Sequence, residues 1–443
     1  MSYENSKSVM LAILVSISIF LTWNLWTYHP NFEKLENSDN AAVKEVTLSE
    51  KQEVQTIVKP DMVIYHTDGG LYGTNSAEEL DKIIKELSSW SFFDVKNYAV
   101  KEEGNLKEIT TGTGKAEIVF PDDVPIEIYR NVLKLEEKKV PVFTFDRIII
   151  SAENSETDNG DVYFVSSETN QVYISHISPA NLKDFNKDFY KNSASLPRYF
   201  AFDASENRTI YLPENETKMN TYKYLPVTLD SEELKEALFS NPDYVQKSTV
   251  APWEEYTDNS SKLSINLITN MLTYVNPTTE EKYVETPYDL VKRSIDFVNG
   301  HGGWTDPYRY VSKDEFNRSV TFRLYTTDGY PVFNGRGLSE ITEVWGRNEI
   351  TSYTRPNISL ELPLTTEMQM VTQPSGHEIL TYLQNKNNFK PELLEQLVLG
   401  YTMEREDEEN RLILLEPAWF YRYNNTWGQI TMEQLGGPAY GLE

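Results

Sequence analysis

The chain of 443 residues contains no cysteine. A disulfide framework, a thiolate metal site and a cysteine nucleophile are therefore excluded, and stability must come from packed cores. Histidine is nearly as scarce, with five residues at 29, 66, 176, 301 and 377. None stands in an HExxH or other paired spacing, so the scaffold of a zinc protease is missing. Positive charge is short as well: 41 Lys and Arg face 68 Asp and Glu, a formal net charge of −27. Such a surface lacks the basic clusters that hold nucleic acid, anionic lipid or anionic wall polymers. Long apolar runs are also absent, with one exception near the start.

That exception is VMLAILVSISIFLTWNLW at residues 9–26. It carries no charge and, at roughly 18 residues, is long enough to cross a bilayer core. Trp23, Trp26 and Tyr28 close it with the aromatic residues that favour the membrane boundary. No small-residue cleavage site follows closely, so the run reads as a retained anchor rather than a removed signal. The outer flank from 26 to 42 holds one basic residue, Lys34, among Glu33, Glu36 and Asp39. This favours a cytoplasmic tail and an extracytoplasmic body. Ser8, Ala12 and Ser16 recur every four residues and share one helix face. Small residues at that spacing let membrane helices approach closely, and Ser18 and Thr22 add hydroxyls that can bond across helices. These five residues are the expected contact with a membrane partner.

Beyond the anchor the pattern is α+β, with antiparallel sheets and short helices. The expected layout is a tail at 1–8, a transmembrane helix at 9–28 and a polar stalk at 29–59. Three α+β domains follow, at 60–215, 216–305 and 306–443. Ser76 with Glu79, and Thr286 with Asp289 behind Pro287, read as helix starts, as do Asp230 and Glu233. Segments at 143–150, 161–166 and 171–177, separated by Asp158-Asn159-Gly160 and Glu168-Thr169-Asn170, read as an antiparallel meander. Residues 182–190, 375–384 and 391–399 read as helices. Residues 330–333 read as the return strand after a Thr327-Asp328-Gly329 turn, and Pro331 marks that strand as an edge or an irregular one.

The motifs that could carry chemistry are weak. His176 sits in an alternating strand and reads as structural. His301-Gly302-Gly303-Trp304 resembles an oxyanion loop, but no GxSxG elbow accompanies it, so a turn is the better reading. Gly112-Thr113-Gly114-Lys115 resembles the end of a phosphate loop, but Ile109 stands where the first glycine belongs and Ala116 where Ser or Thr belongs. Asp122-Asp123 and Glu254-Glu255 are adjacent carboxylates. Acid–base work on a glycoside needs a set spatial separation, which adjacency in the chain does not supply. The run from Glu404 to Glu409 reads as a solvated face. No enzyme follows from these residues, and no cofactor or metal.

Four stretches nevertheless resemble a known family: LTWNLWTYHPNFE at 21–33, PDMVIYHTDGGLYGT at 60–74, AEIVFPDDVPIEIY at 116–129 and LPRYFAFDA at 196–204. Together they are similar to the YycH family of membrane-anchored accessory regulators. The resemblance implies a non-enzymatic regulator of the essential sensor histidine kinase WalK, also called YycG. It would act with a second anchored protein, YycI, on genes of cell-wall turnover in low-GC Gram-positive bacteria. It implies a three-domain outer body and no catalytic residues. Physically, one membrane helix can bias a two-state kinase if it prefers one state by a few kcal/mol. Two rivals stand beside this: a wall-space binding or inhibitor module using an exposed edge near 330–333, and an enzyme acting on wall material. Association of two copies is left open.

Overall fold

The computed structural model describes residues 14–18, 21, 50–98, 106–152, 159–277, 286–347, 349–361, 363–364, 368–405 and 412–435. The chain falls into two compact units, Met1–Lys44 and Glu45–Glu443. In the first unit the described residues, 14–18 and 21, are helical and exposed. The rest of the expected span lies outside the described residues. Among those described, no helix is long and apolar enough to cross a membrane.

The second unit is rich in antiparallel sheet. Its largest sheet has ten strands. Met62–Thr67 pairs with Gly70–Thr74 on one side and Lys115–Pro125 on the other. From there Thr144–Ser151, Gly160–Ser166 and Gln171–Ile177 follow as the expected meander. Asn170, with φ of 56°, makes the left-handed turn between the last two strands. The sheet continues through Ser91–Asn97 to Lys134–Leu135, its one parallel pairing. The other flank is the hairpin of Arg198–Ser205 and Arg208–Pro213.

A second sheet of eight strands runs from Gln246–Val250 to Tyr308–Asp314, and takes strands from either side of residue 305. A third is built on the long pair Leu394–Arg405 and Ile413–Tyr423, with Tyr222–Tyr224 against the second of these.

The helices follow from their apolar stripes and caps. Ala77–Ser89 buries Leu80, Ile83, Ile84 and Leu87, the i, i+3, i+4, i+7 face of an amphipathic helix. Its start was expected to be a capping box. Instead the Ser76 side chain makes no cap bond, and its amide N–H, which Glu79 would take in a capping box, donates to Thr74 Oγ1 at 3.0 Å. Glu78 and Glu79 in the first turn still favour the positive helix end. Asp230 and Thr286 do cap their helices, Ser231–Leu238 and Pro287–Gly300. The helix expected at 182–190 starts earlier, as Pro179–Asp188, because Ser178 caps it and Pro179 fits the first turn.

Two expectations fail. The segment at 391–399 is not a helix. One 3-10 turn, Pro391–Leu393, leads into the strand Leu394–Arg405. Leu397, Leu399, Tyr401 and Met403 are all buried on one face, which is period two and outweighs local helix propensity. The segment at 330–333 is not a hairpin return either. Only Tyr325 and Pro331 bridge antiparallel, while Val332–Phe333 pairs in parallel with Tyr401 and Thr402. Pro331 has no N–H for a ladder, but its carbonyl accepts the Tyr401 N–H at 2.9 Å.

One buried carboxyl has a testable consequence. Glu343 is fully buried, with Trp345 Nε1 donating to it at 3.1 Å. Burial pushes its carboxyl well above the usual range. The folded protein thus keeps a proton that the unfolded chain releases above pH ~4.5. Stability from this group is present at lower pH and is lost as pH rises toward the folded value. Glu343→Gln is expected to raise the urea stability of the protein at pH 8, by about 1.4 kcal/mol for each unit of the shift. At pH 4 it should do little. Equal effects at both pH values would mean that Glu343 is ionised in the fold.

A candidate binding cleft

The strand Lys115–Pro125 breaks its own ladder. It pairs with Thr144–Ser151 from Lys115 to Val119, and again at Val124 and Pro125. In between, Phe120, Pro121, Asp122 and Asp123 stand opposite the single residue Asp146. A bulge of this kind re-aims side chains, and here it sends two carboxylates in different directions. Asp122 Oδ2 accepts the Lys313 backbone N–H at 2.9 Å and the Tyr310 hydroxyl at 3.3 Å. Tyr310 also donates to the Asp123 carbonyl at 3.0 Å, and Gln396 Nε2 donates to the Pro121 carbonyl at 2.8 Å. Asp123 Oδ2 turns back to its own sheet and accepts from Thr144 and Ser166, both at 3.0 Å. The bulge thus ties together three sheets.

A cleft of about 1250 Å³ opens over the bulge. Its walls are the bulge itself, the start of the Pro287–Gly300 helix, the end of Tyr308–Asp314 and the segment from Glu392 to Val398. Ten acids and four bases line it, so its field is negative. Three of the bases are held in place by acids. Arg422 is paired with Glu395 at 2.8 Å, Lys313 with Glu315 at 3.3 Å, and Arg147 with Glu117 and Asp146.

Glu117 is the deepest charge near this wall. It is fully buried and takes Arg147, the Tyr211 hydroxyl at 2.6 Å and His66 Nε2 at 3.1 Å. Burial pushes its carboxyl up, but Arg147, His66 and Tyr211 outweigh that and hold it at about 2. Asp123 shows the reverse balance. Burial and the neighbouring Asp146 push it up to about 6, against Lys313 and two hydroxyl donors. Burial also raises Asp122, against Lys313, and Asp61, against the Tyr325 hydroxyl at 2.7 Å.

The motifs read from the sequence lie elsewhere or are spent on structure. His176 Nδ1 stands 2.9 Å from Asp161. Gly302 and Gly303, with φ of 96° and 67°, make the turn after the Pro287–Gly300 helix. The Gly114 amide donates to the His66 carbonyl at 2.8 Å instead of facing a phosphate. Glu254 and Glu255 pair with Lys247 and Lys262 on the surface. The edge near 330–333 is covered, with Val332 and Phe333 buried. Of the expected membrane contacts, Ser16 and Ser18 are helical and exposed; Ser8, Ala12 and Thr22 lie outside the described residues. Among the described residues no group of three or more His, Asp or Glu could hold a metal ion.

Sequence reasoning missed Glu117, Arg147, Tyr310 and Lys313, whose partners are brought together only by the fold. The one available signal was the loss of alternation after Phe120, where two acids sit between Pro121 and Pro125.

Comparison with known proteins places the whole chain. The family described as YycH protein, N-terminal domain, matches residues 4–194, and YycH protein, C-terminal domain, matches residues 207–437. A curated relative, the "Two-component system WalR/WalK regulatory protein YycH" of Bacillus subtilis (strain 168), is 25% identical, with all of both chains covered. The crystal structure of YycH from Bacillus subtilis shares the fold, with a TM-score of 0.74 and 22% identity, over 87% of this chain and 99% of that one. With both halves matched in order, and a sheet-rich α+β body of the same fold, the chain belongs to the YycH family.

Proposed function

We propose that this chain is a non-enzymatic, membrane-anchored regulator of a two-component system of the WalR/WalK type. The observation that carries this is its end-to-end likeness to the Bacillus subtilis regulatory protein. In this reading the 9–26 helix spans the cell membrane with the N-terminus in the cytoplasm, and the body lies outside. The helix contacts the sensor kinase WalK, also called YycG, and a YycI partner, through the face of Ser8, Ala12, Ser16, Ser18 and Thr22. The output is control of cell-wall metabolism. The apolar, uncharged composition of residues 9–26 supports the anchor. A first domain boundary near 215–216 is part of the proposal, supported by the end of the ten-stranded sheet at Pro213.

The test is co-purification of the kinase from membranes with the full chain and with a chain whose residues 9–26 are replaced by an unrelated span. The expected result is loss of the kinase on replacement, and a marked weakening with Ala12→Leu plus Ser16→Leu. Retention after replacement would move the contact to the body. No association with either chain would sink the regulator reading. A second reading, an outer binding module, is favoured by the cleft over the bulge.

A further inference from the structure

The eight-stranded sheet ends on a bare strand. Gln246–Val250 pairs with Trp253–Thr257 on one side, and no strand of the described residues pairs with it on the other. All five of its residues are exposed. The turn at Ala251 and Pro252 joins the pair Val250 and Trp253, and in an antiparallel ladder bonded pairs alternate. Val250, Ser248 and Gln246 therefore bond inward, while Lys247 and Thr249 hold their N–H and C=O groups outward. Sheets usually blunt such an edge with charge, proline or a covering element, because it is a template for another strand. This strand holds no proline, and its one charge, Lys247, is turned to Glu232 and Glu254, at 3.1 Å each.

Charge decides what can approach. The chain carries −27, and like charge keeps copies of an acidic protein apart. Yet residues 244–253, YVQKSTVAPW, include no acid, and neither do residues 261–275, which form the next two strands after Trp253–Thr257. Between them Glu254 and Glu255 are matched by Lys247 and Lys262. Apolar side chains stand out at both ends of the bare strand. Tyr244 is 81% exposed at one end, and Val250 is 71% exposed at the other. Trp253, Leu267 and Ile268 are also exposed at the Val250 end, where the Leu267 N–H donates to the Pro252 carbonyl at 2.9 Å. Clustered exposed apolar groups mark contact sites.

We propose that a second copy of this chain adds its own Gln246–Val250 strand to this edge, antiparallel, about a two-fold axis at Ser248. A neutral, acid-free edge is where two acidic molecules can meet, and a two-fold contact needs a surface that complements itself. The axis at Ser248 places Lys247 of each copy opposite Thr249 of the other, so the outward groups of both residues bond to one another. An axis at Lys247 would set lysine against lysine, which is unfavourable. An axis at Thr249 would set Lys247 against Ala251, beyond the strand. An axis between residues would oppose outward groups to inward ones. The Ser248 axis also lays the Val250 end of each strand against the Tyr244 end of the other and so covers both exposed side chains.

On this axis Ser248 faces its own copy as a non-bonded pair, with Cα atoms about 4.5 Å apart. The absence of cysteine from the chain turns that into a register-specific test. A thiol at 248 can bridge to its copy. A thiol at 246 faces Val250 instead and lies beyond the ~7 Å that a disulfide spans.

The experiment uses full-length protein in detergent micelles, at about 0.15 M salt to screen repulsion. Ser248→Cys, oxidised with copper phenanthroline, is expected to give a covalent dimer at least fivefold faster than Gln246→Cys. Light scattering of the unaltered protein should pass from one to two chains per micelle as concentration rises. Tyr244→Asp with Val250→Asp, both at exposed sites, should weaken this association at least tenfold. Phe316→Asp, at a residue 94% exposed on the opposite edge of the sheet, should leave it unchanged. Equal cross-linking rates at 246 and 248, or one chain per micelle at every concentration, would overturn the proposal. So would a dimer that resists Tyr244→Asp with Val250→Asp but is lost with Ala12→Leu plus Ser16→Leu, since the contact would then lie in the membrane helix.

Discussion

Arg147→Met is expected to destabilise the protein by about 3–5 kcal/mol, because it leaves a buried carboxylate without its counter-charge. Glu117 is fully buried, and the Arg147 guanidinium is its counter-charge. The guanidinium also donates to the Thr209 carbonyl at 2.9 Å and to Ser167 at 3.1 Å. Three strands and a hairpin are therefore held through one side chain. The double change Glu117→Gln with Arg147→Met should recover much of the loss, since breaking a buried pair is worse than removing it. Urea titration of the three proteins at pH 7 reads this directly. The pH sign is fixed by the depressed carboxyl. Glu117 stands at about 2 when folded and near 4.5 when free. Its stabilisation, about 3 kcal/mol, is complete above pH ~4.5 and is lost as pH falls through 2. An Arg147→Met protein within 1 kcal/mol of the parent would mean that Glu117 is protonated already.

Gly329→Ala is expected to be nearly as damaging, for a backbone reason. Gly329 has φ of +93°, which costs an alanine about 1–2 kcal/mol. A Cβ there would also meet the Asn75 carbonyl oxygen at 2.3 Å and the Ala77 nitrogen at 3.0 Å. Neither is a flexible side-chain tip, so overpacking adds about 1–3 kcal/mol. Gly337→Ala is the matched control. Its φ is +86°, but the nearest atom to a new Cβ is Met271 Cε at 3.4 Å. It should show the conformational strain without the clash. Thermal unfolding midpoints of the two variants should therefore differ clearly. Equal midpoints would remove the close approach of the 329 turn to the Asn75 backbone from the account.

How much of this was legible beforehand depended on how local the cause was. The meander from 144 to 177 announced itself, since its strands alternate and the last two are joined by a short turn at Asn170. The caps Asp230 and Thr286 did too, because a cap bonds to an amide two or three residues on. Ser76 opens its helix as read, but the capping box does not form, since Thr74, outside the pattern, takes the amide that Glu79 would have bonded. The stretch at 391–399 was misread because its strand partner lies beyond residue 412. Of the cleft, Asp122 and Asp123 were visible as a pair, but not their surroundings. Tyr310 and Lys313 lie almost two hundred residues on, and no spacing rule reaches that far. The membrane-helix residues were read from composition and remain a proposal.

The bonds that bind early segments to late ones also set an order of events. Gln52 exchanges two hydrogen bonds with Asn299, 247 positions away, Asp61 takes the hydroxyl of Tyr325, 264 away, and Pro121 takes the amide of Gln396, 275 away. A ribosome adding about 5–20 residues per second needs roughly 15–50 s to deliver such a partner. Throughout that interval the buried acids of the first sheet lack part of their cage, and strand edges wait unpaired. The nascent chain is thus committed to a long unfinished stage, in which holdases and proteases compete for it, and closure of the bulge is one of its last steps.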